Sequence, residues 1–272
     1  MLPDAAAIDP RARESLLAFW RDAGVDACFE DEPVDRLARP TPALALARAA
    51  GEAAVAPLRP DAPSADEAVA EARRIAAGAA TLAELRAAIE AFEGCTLKHA
   101  GARQAVFARG PEDAPLMVIG EAPSPEDDVA GLPFTGAAGR LLDRMLAAAG
   151  FADKAFITNT VFWRPGSTPN PSVQDCAACA PFLERAITLV APQAILLLGA
   201  AAARTMLGRE EGLMSLRGRW LEHVSQADAR VTPALVTPHP AFLLTQPAAK
   251  SLAWRDLLSL AERVDPVNHP RP

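Results

Sequence analysis

From residue 115 onward the chain alternates short, wholly apolar runs with helix-patterned stretches, and this rhythm constrains its fold more than any other feature. The runs LMVIG (116–120), FITNTVF (156–162), AILLLG (194–199) and ALVT (234–237) read as strands. GAAGRLLDRMLAAAG (136–150), residues 175–190, AAARTMLG and AAKSLAWRDLLSLAERV read as helices between and after them. A strand wetted on one face alternates apolar with polar residues, so strands without alternation must be covered on both faces. Such strands, separated by helices, predict a three-layer α/β/α domain around a mainly parallel, four-stranded sheet. Ligands of such sheets bind beyond the carboxyl ends of the strands, which are therefore the places to search.

Four strand ends carry chemistry. Beyond 116–120 runs Gly120-Glu121-Ala122-Pro123-Ser124-Pro125-Glu126-Asp127-Asp128, followed by Gly131-Leu132-Pro133-Phe134-Thr135-Gly136. Asn159 follows 156–158, Gly199 and a run of alanines follow 194–198, and Pro238-His239-Pro240 follows 234–237. Each has a bland alternative: a solvated acidic loop or helix-start charges, a core phenylalanine, a turn-capping asparagine, an ordinary buried histidine. At successive strand ends, a carboxylate cluster, a ring, an amide and an imidazole together point to one site.

The rest of the chain adds limits. Residues 12–25 place Leu16, Leu17, Phe19 and Trp20 on one helical face that stops at Gly24, which predicts a helical N-terminal extension over 1–38. That extension reads either as a clamp on the main domain or as a partner-binding segment. A Pro- and Ala-rich stretch from Pro33 to Pro63 suits a linker, and residues 39–80 are grouped as linker and helix. Ser64-x-x-Glu67 and Thr81-x-x-Glu84 have capping-box spacing, and Leu82, Leu85, Ile89 and Phe92 form an apolar stripe ended by Gly94. The main domain is expected over 81–266, with a tail over 267–272. Mean hydropathy is +0.09 and no run approaches the roughly twenty apolar residues of a membrane span. MLPDAAAIDPRARESL lacks a basic start followed by an apolar run, so the expectation is a cytoplasmic protein without membrane association, and a monomer is expected as well. Residues 1–100 hold 11 Lys and Arg against 17 Asp and Glu, and residues 101–272 hold 16 against 17, so charge alone gives no argument for nucleic acid. Cys28, Cys95, Cys176 and Cys179 do not suggest a disulfide framework, and Cys176-x-x-Cys179 lies in a helical stretch, where two small buried residues are the simpler reading.

Taken in order, GEAPSPEDDVAGLPFTGAAGRLLDRML, ITN, RP, C-x-PFLER, RGRW and HPAFLL resemble the uracil-DNA glycosylase superfamily. Within it they are most similar to the bacterial and archaeal family 4 branch, which commonly reads GEAPG-x-x-ED-x-x-G-x-PFVG-x-AG-x-LLD. The resemblance covers roughly residues 85–262. It implies a DNA-repair glycosylase that flips uracil out of single- or double-stranded DNA and hydrolyses its N-glycosidic bond, leaving an abasic site. Phe134 would stack on the base, and the Asn159 amide would read its O4 and N3–H edge beside Gly120. His239 would donate to the base oxygen, helped by backbone N–H groups near Ala122. Asp127, with Glu121 as second candidate, would orient water and stabilise positive charge on the sugar, and the family's acids also bear on exclusion of the thymine methyl. Pro123, Ser124, Gly199, Pro240, Ala241, Leu243 and Leu244 resemble DNA-gripping elements, with Leu243 or Leu244 as a wedge. Two alternatives stand beside the enzyme: a binder of uracil or abasic sites with little or no catalysis, and a glycosylase for another deaminated base.

The chain also departs from the family pattern. Family 4 members usually hold a [4Fe–4S] cluster on four cysteines; Cys95 and Cys179 match two of them, while Phe92 and Trp163 replace the others. Neither ring supplies a thiolate, and Cys28 and Cys176 would serve only after rearrangement, so the expectation is no cofactor and no cluster, with aromatic packing in its place. A cluster-lacking bacterial branch shows a similar FWRP pattern. Ser124 replaces a glycine, the Asn-Arg pair after RPP is absent, and Thr245 stands where a basic residue is common, each removing a phosphate contact. No tyrosine is present to exclude thymine.

Overall fold

The computed structural model describes residues 64–166 and 170–264. The helix expected over 12–25, the Pro- and Ala-rich stretch, Cys28 and the tail lie outside the described residues. The four expected strands form the parallel centre of the sheet: β2 (Leu116–Gly120), β3 (Ala155–Asn159), β4 (Ala194–Leu198) and β6 (Val231–Thr237). Two antiparallel edge strands, β1 (Ala108–Arg109) beside β3 and β5 (Trp220–Val224) beside β6, extend it to six in the order β1-β3-β2-β4-β6-β5. Neither edge announces itself in the sequence. Two residues are too few for periodicity, and WLEHV is a half-exposed edge without a long apolar run.

The pleat explains why the central strands are apolar throughout. Met117, Ile119, Ile195, Leu197 and Val236 point into one core, while Leu116, Val118, Leu196, Leu198 and Leu235 point into the other. The first core is closed by α1 (Ala65–Gly78), α2 (Leu82–Ala91) and α6 (Val173–Val190). The second is closed by α5 (Ala137–Ala148) and α10 (Lys250–Val264), through Leu142, Leu146, Leu257 and Leu260. Truncating a leucine in either layer to alanine costs about 2–5 kcal/mol. Short helices fill the connections: α3 (Thr96–His99), α4 (Pro125–Ala130), α7 (Gly199–Leu207), α8 (Leu213–Leu216) and α9 (Pro240–Thr245). Among the described residues no helix is long and apolar enough to cross a membrane.

Local chemistry sets the helix ends. Ser64 and Glu67 make a reciprocal capping box, with Ser64 N donating to Glu67 Oε2 at 2.8 Å. Thr81 Oγ1 accepts from Glu84 N, but the Glu84 carboxylate accepts from Ala80 N rather than from the cap residue itself. Helix α2 ends before Phe92, two residues earlier than the Gly94 stop. There the chain turns extended so that the Phe92 ring packs edge-on against Phe182, at 5.1 Å between centroids. Helix α1 precedes the span expected for the domain, yet Ala68, Ala72 and Ala76 belong to its core.

One buried charge contact ties three elements together. His223 of β5 lies with Nδ1 3.2 Å from the Met206 carbonyl of α7 and Nε2 3.2 Å from Glu184 Oε1 of α6. The Nε2 contact is an ion pair at 3.2 Å without aligned hydrogen-bond geometry. Burial opposes the imidazolium, but the Glu184 carboxylate and the Met206 carbonyl outweigh it and hold His223 above its ordinary 6.5. A raised folded value stabilises fully below the unfolded value and loses that contribution as pH climbs through the folded one. Glu184→Gln is therefore expected to lower Tm by about 2–4 °C for each kcal/mol lost at about pH 5.5, and by much less at about pH 9. Melting curves at the two pH values check this, and an equal loss at both would show that the charge contact is not the cause.

Candidate active site

The register of β2 and β3 places Gly120 directly beside Asn159, at the carboxyl end of both strands. A Cβ on Gly120 would overlap Asn159 Oδ1 and the Phe134 ring, so glycine here makes room for an amide and an aromatic face at one point. Both atoms of the Asn159 amide, Nδ2 and Oδ1, are buried without a hydrogen-bond partner. Leaving a buried donor and acceptor unmet costs about 1–3 kcal/mol each. A native fold retains such a cost where a ligand supplies the partners.

Phe134 is held in a conformation that side chains avoid, with φ of +58°. Its surroundings impose that geometry. Arg109 Nε donates to the Pro133 carbonyl at 2.8 Å, and Asp127 Oδ1 accepts from both the N–H and the hydroxyl of Thr135 at 2.7 Å. Gly139 completes the clamp, because a Cβ there would run into the Phe134 carbonyl. The ring lies 5.7 Å from the His239 imidazole, tilted by 33°.

His239 is the N-cap of α9, and its Nδ1 accepts from Ala241 N at 3.2 Å. With Nδ1 an acceptor, the single proton of the neutral ring resides on Nε2, assigned from this hydrogen bond. Burial pushes His239 down to about 4, against the opposing pull of the Asp127 charge, so the ring is neutral at physiological pH. The site thus offers a neutral N–H donor.

The GEAPSPEDD loop is organised by a capping box. Ser124 Oγ accepts from Asp127 N at 3.2 Å, and Asp127 Oδ2 accepts from Ser124 N at 3.0 Å. Ser124 is in ordinary extended backbone with its hydroxyl turned into α4, so the serine that replaces a glycine is a helix cap here. Asp127 is buried and spends three hydrogen bonds on the loop, whereas half-buried Glu121 lines a cleft of about 450 Å³ with Ala122, Pro123, Ser124, Arg164 and His239. Burial raises Glu121 above the usual carboxylate range, partly offset by Arg204. A larger cavity of about 580 Å³ lies among α1, α6 and β5, but none of the strand-end residues Glu121, Ala122 or His239 lines it. The smaller cleft is the functional candidate because the strand ends converge on it.

Sequence reasoning missed one residue of this cleft and one that braces the loop beside it. Arg164 lines it, fixed by Asp128 Oδ2 at 3.2 Å and by the Gly101 carbonyl, and Asp128 is itself buried. Thr135 is the second, as the partner of Asp127. The spacing Ser124-x-x-Asp127 is itself a capping-box signal that locates the loop's brace. One expected residue moves the other way. Leu243 is fully buried against Leu141 and Ala253, so it is not free to enter DNA as a wedge. Its neighbours Phe242 and Leu244 are each 42% exposed. Pro240 is buried, Ala241 lines the cleft, and Gly199 lies beneath His239, where an added Cβ would sit 3.5 Å from the histidine Cβ.

The residues at the cluster-ligand positions do not fit a four-thiolate centre. Cys95 Sγ and Cys179 Sγ are 3.8 Å apart and buried, and burial drives the Cys179 thiol well up. Phe92 packs on Phe182 and Trp163 on Phe162, so two of the four corners are occupied by rings. Cys176 is half-buried and engaged by the Thr205 hydroxyl at 3.9 Å. Among the described residues no group of three or more His, Cys, Asp or Glu is arranged to hold a metal ion.

Comparison with known proteins converges on the same segment. The family model described as Uracil DNA glycosylase superfamily matches residues 107–258. The chain is 32% identical over 186 residues to the Type-4 uracil-DNA glycosylase of Pyrobaculum aerophilum, covering 65% of this chain and 91% of that protein. It is 31% identical over 164 residues to the Type-4 uracil-DNA glycosylase of Sulfurisphaera tokodaii, covering 58% and 74%. With the Type-4 uracil-DNA glycosylase of Thermotoga maritima it shares 32% identity over 148 residues, covering 54% and 74%.

The electrostatics of the site give a direct test. NMR of the His239 imidazole is expected to show a midpoint near 4, moving lower in Asp127→Asn, where the opposing negative charge is gone. A midpoint near 6.5 in the unsubstituted protein would contradict the buried, neutral ring.

Proposed function

Because the chain belongs to the uracil-DNA glycosylase superfamily, we propose that it excises uracil from DNA by hydrolysing the N-glycosidic bond and leaves an abasic site. The observation that carries this reading is the buried, unmet amide of Asn159 beside Phe134 and a neutral His239. Uracil presents an acceptor at O4 and a donor at N3–H, and an amide offers one group for each. The base must leave the duplex to reach this depth, and the Phe134 ring supplies the face on which it stacks.

The bond breaks between the sugar carbon and the uracil nitrogen, leaving positive charge on the sugar and negative charge on the base. His239 Nε2–H donates to the base oxygen on which that negative charge grows, as an electrostatic stabiliser that needs no protonated imidazole. Glu121, which lines the cleft, orients the attacking water; Asp127 stabilises the sugar cation through its charge and keeps the loop closed on the base. Arg164 meets a backbone phosphate. Pro123, Ser124, Gly199, Pro240 and Ala241 shape the path of the strand, and exposed Leu244 and Phe242 take the place of Leu243 at the gap left by the flipped base. The partner is uracil-containing DNA, single- or double-stranded. The chain acts as a cytoplasmic monomer without a [4Fe–4S] cluster, the rings of Phe92 and Trp163 bracing the region instead. The two remaining thiols support this part of the reading, since each iron–sulfur corner needs its own thiolate.

An oligonucleotide with one uracil is expected to yield an abasic product, while matched strands with cytosine, thymine or hypoxanthine do not. No product at enzyme excess would overturn the enzymatic reading. Asn159→Ala and His239→Ala should each lower turnover by about a hundredfold. Full activity in both would relocate the site. Purified protein is expected to contain no iron and to show no visible absorbance band, and a stoichiometric iron content would overturn the cluster-free assignment.

A further inference from the structure

The histidine loop is anchored from both ends, and the anchor on its N-terminal side uses residues the mechanism has not yet employed. Thr237, the last residue of β6 and two before His239, is buried and donates from Oγ1 to Asp256 Oδ2 at 3.0 Å. Asp256 projects from α10, is buried, and receives Arg217 through both carboxylate oxygens, with Nε at 3.3 Å from Oδ2 and Nη2 close to Oδ1. Arg217 Nη2 also donates to the Leu252 carbonyl of α10 at 3.0 Å. Gly218 N donates to the Val236 carbonyl at 3.0 Å, which brings this segment alongside the end of β6. The packing is close, because a Cβ on Gly218 would stand 2.9 Å from Asp256 Oδ1. On the other side of His239, Leu243 locks α9 between Leu141 of α5 and Ala253 of α10.

Taken singly, a buried carboxylate is a poor stabiliser. Burial raises Asp256 above the usual range even with Arg217 and Thr237 beside it. An apolar filling would stabilise the region as well or better. What a directional network gives and an apolar filling does not is a fixed position for the strand end. A displacement of about 1 Å in a reacting group can reduce turnover a hundredfold.

We propose that Asp256, Arg217 and Thr237 form a positioning network that sets His239 against Phe134 and the base, acting through the backbone and touching no substrate. The inference rests on the function proposed above for its catalytic consequence, but the placement of His239 is measurable without catalysis. Helix α10 thereby becomes a part of the active-site framework, fixing the imidazole from behind while the Asp127 charge acts on it from the loop after β2.

Thr237→Val removes the hydroxyl donor at nearly constant volume and leaves the Arg217–Asp256 pair in place. The expected result is a loss of turnover of about tenfold or more with KM for the DNA changed less than about twofold, and a His239 NMR midpoint that rises from about 4 toward 6.5 as the loop becomes wetter. Thr237→Ser, which keeps the hydroxyl, is expected to restore both. Where Thr237→Val yields no folded protein, Arg217→Lys, which keeps the charge and loses the two-point grip, carries the same two readouts. An unmoved His239 midpoint in the folded variant, or serine and valine variants impaired alike, would overturn the network's role. If the unsubstituted chain fails to excise uracil, the functional reading falls, and the His239 midpoint still decides the positioning inference.

Discussion

Burial of the central strands on both faces is the constraint on which everything else in this protein depends. With β2 and β4 covered by helices above and below, their side chains have no solvent to reach, and only apolar residues are accommodated along their length. Polar chemistry is therefore expelled to the strand ends. There the register, Gly120 beside Asn159 and Leu198 beside Thr237, determines which groups meet. The site follows from the sheet: a small residue on one strand opens the space that an amide on the next occupies, and a ring from the following loop closes it.

At that edge the protein breaks its own local rules. An amide is buried with neither of its groups bonded, and a phenylalanine is held at positive φ. Both are costs that a fold optimised for stability alone would remove. The surrounding loop holds them in place, and Asp127 is the centre of that restraint, capping α4 with one oxygen and gripping Thr135 with the other. The same carboxylate sets part of the field felt by His239. Positioning and electrostatics are thus joined in one side chain.

The departures from the family pattern acquire physical meanings. Ser124 keeps the backbone extended and adds a helix cap, so the loop does not need the glycine. Phe92 and Trp163 fill volume with rings where the family commonly places thiolates, Phe92 packing on Phe182 and Trp163 on Phe162, in the core that also holds two buried thiols.

Much of this was legible in the sequence. The unalternating apolar runs specify the parallel centre of the sheet, because pleating forces any two-sided strand to be apolar. Asn159 at the end of one run, His239 two residues past another and Phe134 in the loop after a third point to the candidate site. Capping spacings at Ser64 and Thr81 fix helix starts, since those bonds join neighbours in the chain. The edge strands were not legible, being too short or too exposed to carry a periodic signal. Nor were the pairings of Asp127 with Thr135, Asp128 with Arg164 and Asp256 with Thr237. The burial of Leu243 and the exposure of Leu244 also had to be seen, because which face of a short helix meets the core depends on where α5 and α10 lie. The sequence by itself determines where polar groups must collect. Only the tertiary structure decides which of their hydrogen bonds are already taken, because those partners lie far apart in the chain and meet only when the layers pack.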